Sequence, residues 1–411
     1  MKKKLLYATI FVAFILGGFL LIYEKEVSQF YHVIRLFEEE RIVRNFVGME
    51  DIFHTVELER SSPVREFGSN PADLPESFTY QEREINIRDW LEETNTMAFL
   101  VLKGDDILHE EYFLGTDKID KRISWSVAKS FLSAAFGVAV NDGLIPDLDV
   151  PVDELVPMLK DTGYEGVTIR NVLQMSSGIY FNEDYGDFNS DINRFGRAVA
   201  LGRSFDEFAA SLNSDPDLEQ GEFMHYVSLD THVLGMVLRA ATGKTIKEYF
   251  EEHLWSKAGF EDNAYFISDG FGEPMVLGGL NMTTRDYARF GMLMRDNGKA
   301  FGKQVIPENW VIESTTPGAP HLFPGERDNA ETRLGYSYQW WIPENAKPDV
   351  REFFALGIYG QFIYIKPDAD IVIVKNSADI DFQENNFESQ YIAIEAFRAI
   401  TDYVRKSDTS K

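Results

Sequence analysis

Ser126-Val127-Ala128-Lys129 places a hydroxyl and an amine three residues apart. On a helix that spacing sets both on one face, within reach of each other. A serine is a poor nucleophile until a neighbour takes its proton. A lysine does so when burial or nearby positive charge lowers its pKa toward neutrality. A helix start adds unpaired N–H groups and a positive dipole end for a developing oxyanion. Trp125, Phe131, Leu132 and Ala134 surround the pair, so the lysine needs a partner. Tyr226-Val227-Ser228 follows about a hundred residues later, between a polar turn and a helix. A phenol beside an ammonium is expected to fall in pKa and to shuttle a proton to a leaving group. Gly357-Ile358-Tyr359-Gly360-Gln361 marks a strand junction, where a backbone N–H can serve as a second oxyanion donor. Each piece also has a plain reading: a helix cap with a solvated lysine, a core aromatic, a bend in a sheet.

These residues need elements to hold them. MAFLVLK and ILHEEYFLG around GDD read as a hairpin, and SVAKSFLSAAFGVAVNDGL as a helix closed by NDG. Helical signals dominate from about 145 to 330, notably in TIRNVLQMSS, SLDTHVLGMVLRAAT and TRDYARFGMLMRDNG. Strand signals return in YSYQWWI, EFFALGIY, QFIYIKP and DIVIVKNS, before a last helix, SQYIAIEAFRAITDYVRK. The expected fold is mixed α/β (α+β). One antiparallel sheet joins the first hairpin to the last strands, helices flank it, and a mainly helical lobe stands beside it. A cleft between the two is the default place for a site.

Ahead of this body, from 85 to 405, residues 24–84 read as a linker and extension containing a short amphipathic helix. Residues 5–23 form an uncharged apolar run after Lys2, Lys3 and Lys4. Its length and its flank predict a single-pass anchor with the short tail in the cytoplasm and the body periplasmic or extracellular. A cleaved signal peptide is the rival, but no small-x-small site precedes Glu24.

The chain of 411 residues carries a formal charge of −27 and no cysteine. The charge disfavours nucleic acid as a partner. The missing cysteine removes thiol nucleophiles, disulfides and Cys-ligated metal. There is no G-x-S-x-G elbow and no dinucleotide fingerprint, and the candidate phosphate loop ending in Gly243-Lys244-Thr245 has Leu238 where its first glycine belongs. The seven histidines show no tight ligand spacing, and Asp147, Asp149 and Asp153 lack the rest of a calcium loop. No metal or cofactor is expected.

ISWSVAKSF, VLQMSSGIYFNEDY, LGGLNMTTRDYARFG, GYSYQWW and ALGIYGQ, in this order, resemble the serine β-lactamase and penicillin-binding-protein superfamily over residues 85 to 400. The resemblance is to its class C-like branch, with its esterases and 6-aminohexanoate-dimer hydrolases. It implies Ser126 as acylated nucleophile, Lys129 as its base and Tyr226 as proton relay. It implies an oxyanion hole from the N–H groups of Ser126 and Gln361. It implies substrate contacts at Tyr185, Asp184, Ser228, Tyr359 and Gly360. Two departures stand out: Ser228 replaces the usual asparagine, and Ile358-Tyr359-Gly360 replaces a Lys- or His-Thr-Gly motif. Loss of that cation favours a small-molecule ester or amide over a β-lactam. The alternatives are a β-lactamase or a peptidoglycan D-Ala-D-Ala carboxypeptidase, or a non-catalytic penicillin-binding sensor. The oligomeric state stays open.

Overall fold

The computed structural model describes residues 31–60, 63–327, 330–347, 350–383 and 387–409. The apolar run 5–23, and with it the anchor reading, lies outside them. Among the described residues no helix is long and apolar enough to cross a membrane.

The strands that frame the site are β1 (Thr55–Leu58), β2 (Gly68–Ser69), β3 (Thr96–Lys103), β4 (Asp106–Tyr112), β5 (Arg122–Ile123), β6 (Ala264–Ile267), β7 (Leu280–Met282), β8 (Gly335–Tyr336), β9 (Trp341–Ile342), β10 (Phe353–Gly357), β11 (Gln361–Lys366) and β12 (Ile371–Ser377). Helices that carry site residues or pack on these strands include α1 (Ile42–Phe46), α2 (Ala128–Asn141), α3 (Asp191–Ala200), α4 (Ser228–Thr242), α5 (Thr284–Arg295) and α6 (Glu388–Thr409).

The main sheet has eight strands in the order β8-β9-β10-β11-β12-β3-β4-β2. Its neighbouring strands run antiparallel except β2, which lies parallel to β4. The first hairpin and the last strands therefore share one sheet, as the sequence suggested. Side chains alternate across its central strands. Phe99, Val101, Phe362, Tyr364, Ile371 and Ile373 face α6 through Ile394, Phe397 and Ile400. Leu100, Leu102, Ile363, Ile365, Val372 and Val374 face α5 through Phe290, Leu293 and Met294. Burial on both faces explains why β12 reads as an unbroken apolar run.

A second sheet of four strands, β1-β6-β7-β5, revises two boundaries. Strand β1 pairs with β6 at Val56↔Phe266, and Phe46 and Met49 are fully buried. The described part of residues 31–84 is therefore part of the body rather than a free linker. The Arg65 N–H bonds the Gly259 carbonyl at 2.9 Å, so even the extended stretch is docked. Within the lobe expected at 145–330, β6 and β7 are strands, and α5 packs on the main sheet. Apolar runs of three or four residues between glycines do not distinguish strand from buried helix. Only pairing with the distant β1 and β5 decides them.

Candidate active site

Ser126 lies in a single tight turn, Trp125–Val127, that leads into α2. Trp125 has φ +44°, a left-handed conformation that costs a bulky residue about 1–3 kcal/mol. Two contacts hold the turn. The Ser124 N–H donates to the Leu280 carbonyl of β7 at 2.7 Å. The end of β10 presses on it from the other side, where a Cβ on Gly357 would meet the Ser124 oxygen at 2.4 Å. Only glycine allows that approach, and it carries the next residue, Ile358, into the cavity beside Ser126.

Lys129 is 1% exposed. Its Nζ lies 3.0 Å from Ser126 Oγ, 3.3 Å from Ser228 Oγ and 2.7 Å from the Leu277 carbonyl. Burial pulls its pKa down to about 7, while the charges of Glu183 and Asp230 work the other way. A neutral amine has two N–H donors and one lone pair. With the donors on Leu277 and Ser228, the lone pair is left for the Ser126 hydroxyl.

Glu183 completes this network. Its carboxylate accepts from Ser228 Oγ at 2.6 Å, from the Ser228 N–H at 3.2 Å and from the Tyr185 hydroxyl at 3.0 Å. Burial raises its pKa, and the Lys129 charge opposes that rise. Asp230, one helical step from Ser228, is pushed up to about 8 by burial and accepts from the Tyr164 hydroxyl at 2.9 Å.

Tyr226 stacks on Trp341 at 5.5 Å between ring centroids, and Lys129 Nζ sits 5.3 Å from its own ring centroid. The expected fall in its pKa does not occur. Burial first and the Glu183 charge second hold the phenol well above its ordinary value, with a hydrogen bond from Ser126 acting weakly against them. The phenol therefore keeps its proton at neutral pH and can only donate it. Such a pair, a lysine brought near neutrality beside a protonated tyrosine, has the protonation states that a base and an acid need.

Six other expected residues divide. Tyr185, Ser228 and Tyr359 line the cavity around Ser126. Asp184 does not: its carboxylate caps the Gly186 N–H at 2.8 Å in its own loop, and the neighbouring Glu183 turns inward instead. Gly360 also stands aside, on the far side of the turn, against Ser377 and Lys375. Gln361 is fully buried as the partner of Gly357, and its amide donates to the Ser377 carbonyl at 2.6 Å. It lines no part of the cavity, whereas Ile358 does. Residues 358–360 turn the hairpin, so three positions separate Ile358, at the cavity, from Gln361 in the strand that follows. Glu183 and Ile358 are thus what sequence reasoning missed. Each is adjacent in a quoted motif to a residue that was named or passed over, and no periodicity in a loop indicates which neighbour points inward.

Two chambers meet at Ser126. One, of about 280 Å³, is bounded by Tyr226, Glu183, Glu331, Trp341, Ile358 and Gln390. The other, of about 660 Å³, runs beneath the amino-terminal segment and α3.

A family model described as Beta-lactamase matches residues 92–390. This chain belongs to the Beta-lactamase family. It is 34% identical over 296 residues to the 6-aminohexanoate-dimer hydrolase of Paenarthrobacter ureafaciens, covering 70% of this chain and 74% of that one. Among solved structures, one from Bacillus anthracis, provisionally named as a 6-aminohexanoate-dimer hydrolase, has a TM-score of 0.79 at 24% identity, over 90% of this chain and 96% of its own. A family VIII carboxylesterase has a TM-score of 0.56 at 16% identity, over 76% and 96%. These two structures share the fold. The Beta-lactamase family member described here is a serine hydrolase of the amidase- and esterase-like kind.

Proposed function

We propose that the protein cleaves an ester or amide through an acyl-enzyme on Ser126. The observation that carries this reading is the buried Lys129, whose two N–H donors are engaged elsewhere and whose third contact is the Ser126 hydroxyl. The Ser126 proton moves to Lys129 Nζ as Oγ attacks the substrate carbonyl. The N–H groups of Ser126 and Ile358 face the oxyanion. Tyr226, still protonated, gives its proton to the leaving oxygen or nitrogen and regains one from the Lys129 ammonium. The C–O or C–N bond breaks and an acyl-serine remains. Water, deprotonated by the same base, releases the acid and regenerates Ser126.

The rate should follow the lysine. With p-nitrophenyl acetate, kcat/KM is expected to rise as pH increases through about 7, because the neutral amine is the competent form. Glu183→Gln removes a charge that holds the proton on Lys129, so the rising limb should move to lower pH. A pH–rate profile checks both, and a profile flat across neutrality would exclude Lys129 as the titrating base.

β-Lactams should be poor substrates. Among the described residues, no Lys, Arg or His lines the smaller chamber. Arg333 pairs with Glu344 at 3.2 Å and Arg351 is bound to Asn297, both away from Ser126. A charge-assisted bond to a substrate carboxylate is worth roughly 1.5–3 kcal/mol, about tenfold to a hundredfold in kcat/KM. A chromogenic cephalosporin should fall below a short-chain p-nitrophenyl ester by that factor or more. Cephalosporin turnover equal to the ester's would instead favour the β-lactamase reading.

The placement outside the cytoplasmic membrane is supported by the apolar run 5–23 and its lysine flank. Protease added to spheroplasts should remove the catalytic body and spare cytoplasmic markers. An intact chain in the soluble cytosolic fraction would refute the tether.

A further inference from the structure

We propose that the larger chamber receives the acyl part of the substrate, and that this acyl group is a long aliphatic chain. The inference rests on the acyl-enzyme reading and adds the substrate class. Tyr226 lines the smaller chamber and is absent from the walls of the larger one. A donor to the leaving group must stand beside it, so the leaving group occupies the smaller chamber, together with Glu183 and Glu331. The acyl group then projects from Ser126 the other way.

That way is almost wholly apolar. Phe53, Ile192, Phe195, Val199, Met275 and Leu277 form much of the wall. Its amide and guanidinium side chains are already engaged. Asn193 donates to the carbonyls of Tyr185 at 2.9 Å and Asp187 at 2.8 Å, and Arg197 donates to the Phe188 carbonyl at 2.7 Å. Among the described residues no carboxylate lines this chamber. An acyl chain ending in an ammonium would lose its hydration there and find no partner. A methyl-terminated chain gains from every carbon it buries.

Gly196 keeps the space open. It lies inside α3, where glycine is disfavoured relative to alanine, and it lines the chamber. A Cβ built on it meets nothing within 4 Å. Packing therefore does not require glycine at this exposed position on the chamber's edge, and a larger side chain can be carried there to narrow the opening. At the mouth, Ile34 and Leu201 are each 61% exposed and Phe188 is 71% exposed, an apolar rim through which a chain can enter.

The test is a series of p-nitrophenyl esters from acetate to laurate, held below micellar concentrations, on the full chain. Per methylene, kcat/KM should rise about fourfold, the equivalent of ~0.8 kcal/mol, until the chamber is full. The 6-aminohexanoate ester should fall at least tenfold below the hexanoate ester. Gly196→Leu and Gly196→Trp should each cut the ratio of decanoate to acetate kcat/KM at least tenfold and move the optimum to shorter chains. Thermal melts should confirm that both variants fold, and the leucine variant keeps the test available if the tryptophan variant does not. A kcat/KM that is flat or falling from acetate to decanoate, with Ser126 still acylated by acetate, would overturn the chain assignment alone. Failure of every ester to acylate Ser126 would overturn both this assignment and the hydrolase reading beneath it.

Discussion

Ser126→Ala is expected to lower kcat by a factor on the order of 10⁶ and to abolish labelling by a fluorophosphonate probe, because the other hydroxyl beside Lys129, that of Ser228, already gives its proton to a hydrogen bond with Glu183. In the wild type, the adduct should map to the peptide that contains Ser126. The substitution removes one hydroxyl at a strained turn whose backbone is set from outside, by the Leu280 carbonyl on one side and Gly357 on the other. The fold should therefore survive, and a thermal melt close to the wild type's would show it. Undiminished labelling of the alanine variant would mean that another nucleophile carries the reaction.

The second expected result concerns Lys129 and Tyr226. Removal of either should cost about 10²–10⁴-fold in kcat, the usual range for a general base or acid. The double variant should lose little more than the worse single one, since both act on the same proton. The geometry carries this expectation: Lys129 Nζ is 3.0 Å from Ser126 Oγ and 5.3 Å from the Tyr226 ring centroid. Lys129→Met preserves most of the buried stem, but it leaves the Leu277 carbonyl and Glu183 without the amine. Some loss of stability, roughly 1–3 kcal/mol for an unpaired buried acceptor, should accompany the loss of rate. Tyr226→Phe keeps the stack on Trp341 and should melt near the wild type. Losses that multiply in full would show that the two residues act independently.

The sequence was most informative where chemistry is local. The Ser126–Lys129 spacing is a property of one helical turn, and the structure keeps it. The hairpin of β3 and β4 and the strands β10 to β12 follow from alternation and β-branched runs, and their joining in one sheet follows from layering. Reasoning failed where a loop had to choose. In the segment Phe181–Tyr185, Glu183 enters the site and Asp184 caps its own turn, although the two acids are adjacent. At the hairpin after β10, Ile358 faces Ser126 while Gln361 is turned into the strand pair. The Tyr226 pKa moved opposite to expectation, because burial and Glu183 outweigh the nearby amine.

By itself, then, the sequence determined the Ser126–Lys129 contact, the strand and helix periods and the family, because each is carried by residues close together along the chain or by an ordered set of motifs. Tertiary structure alone decided that Val33, Ile34, Leu36, Phe37 and Phe53 line the larger chamber and that β6 and β7 are strands. It also decided that Glu183 sits under Ser228 and that the chamber beyond Ser126 is apolar. Those features depend on which distant segments share an environment. Desolvation, close approach and cavity shape are properties of packing, and no local pattern encodes them.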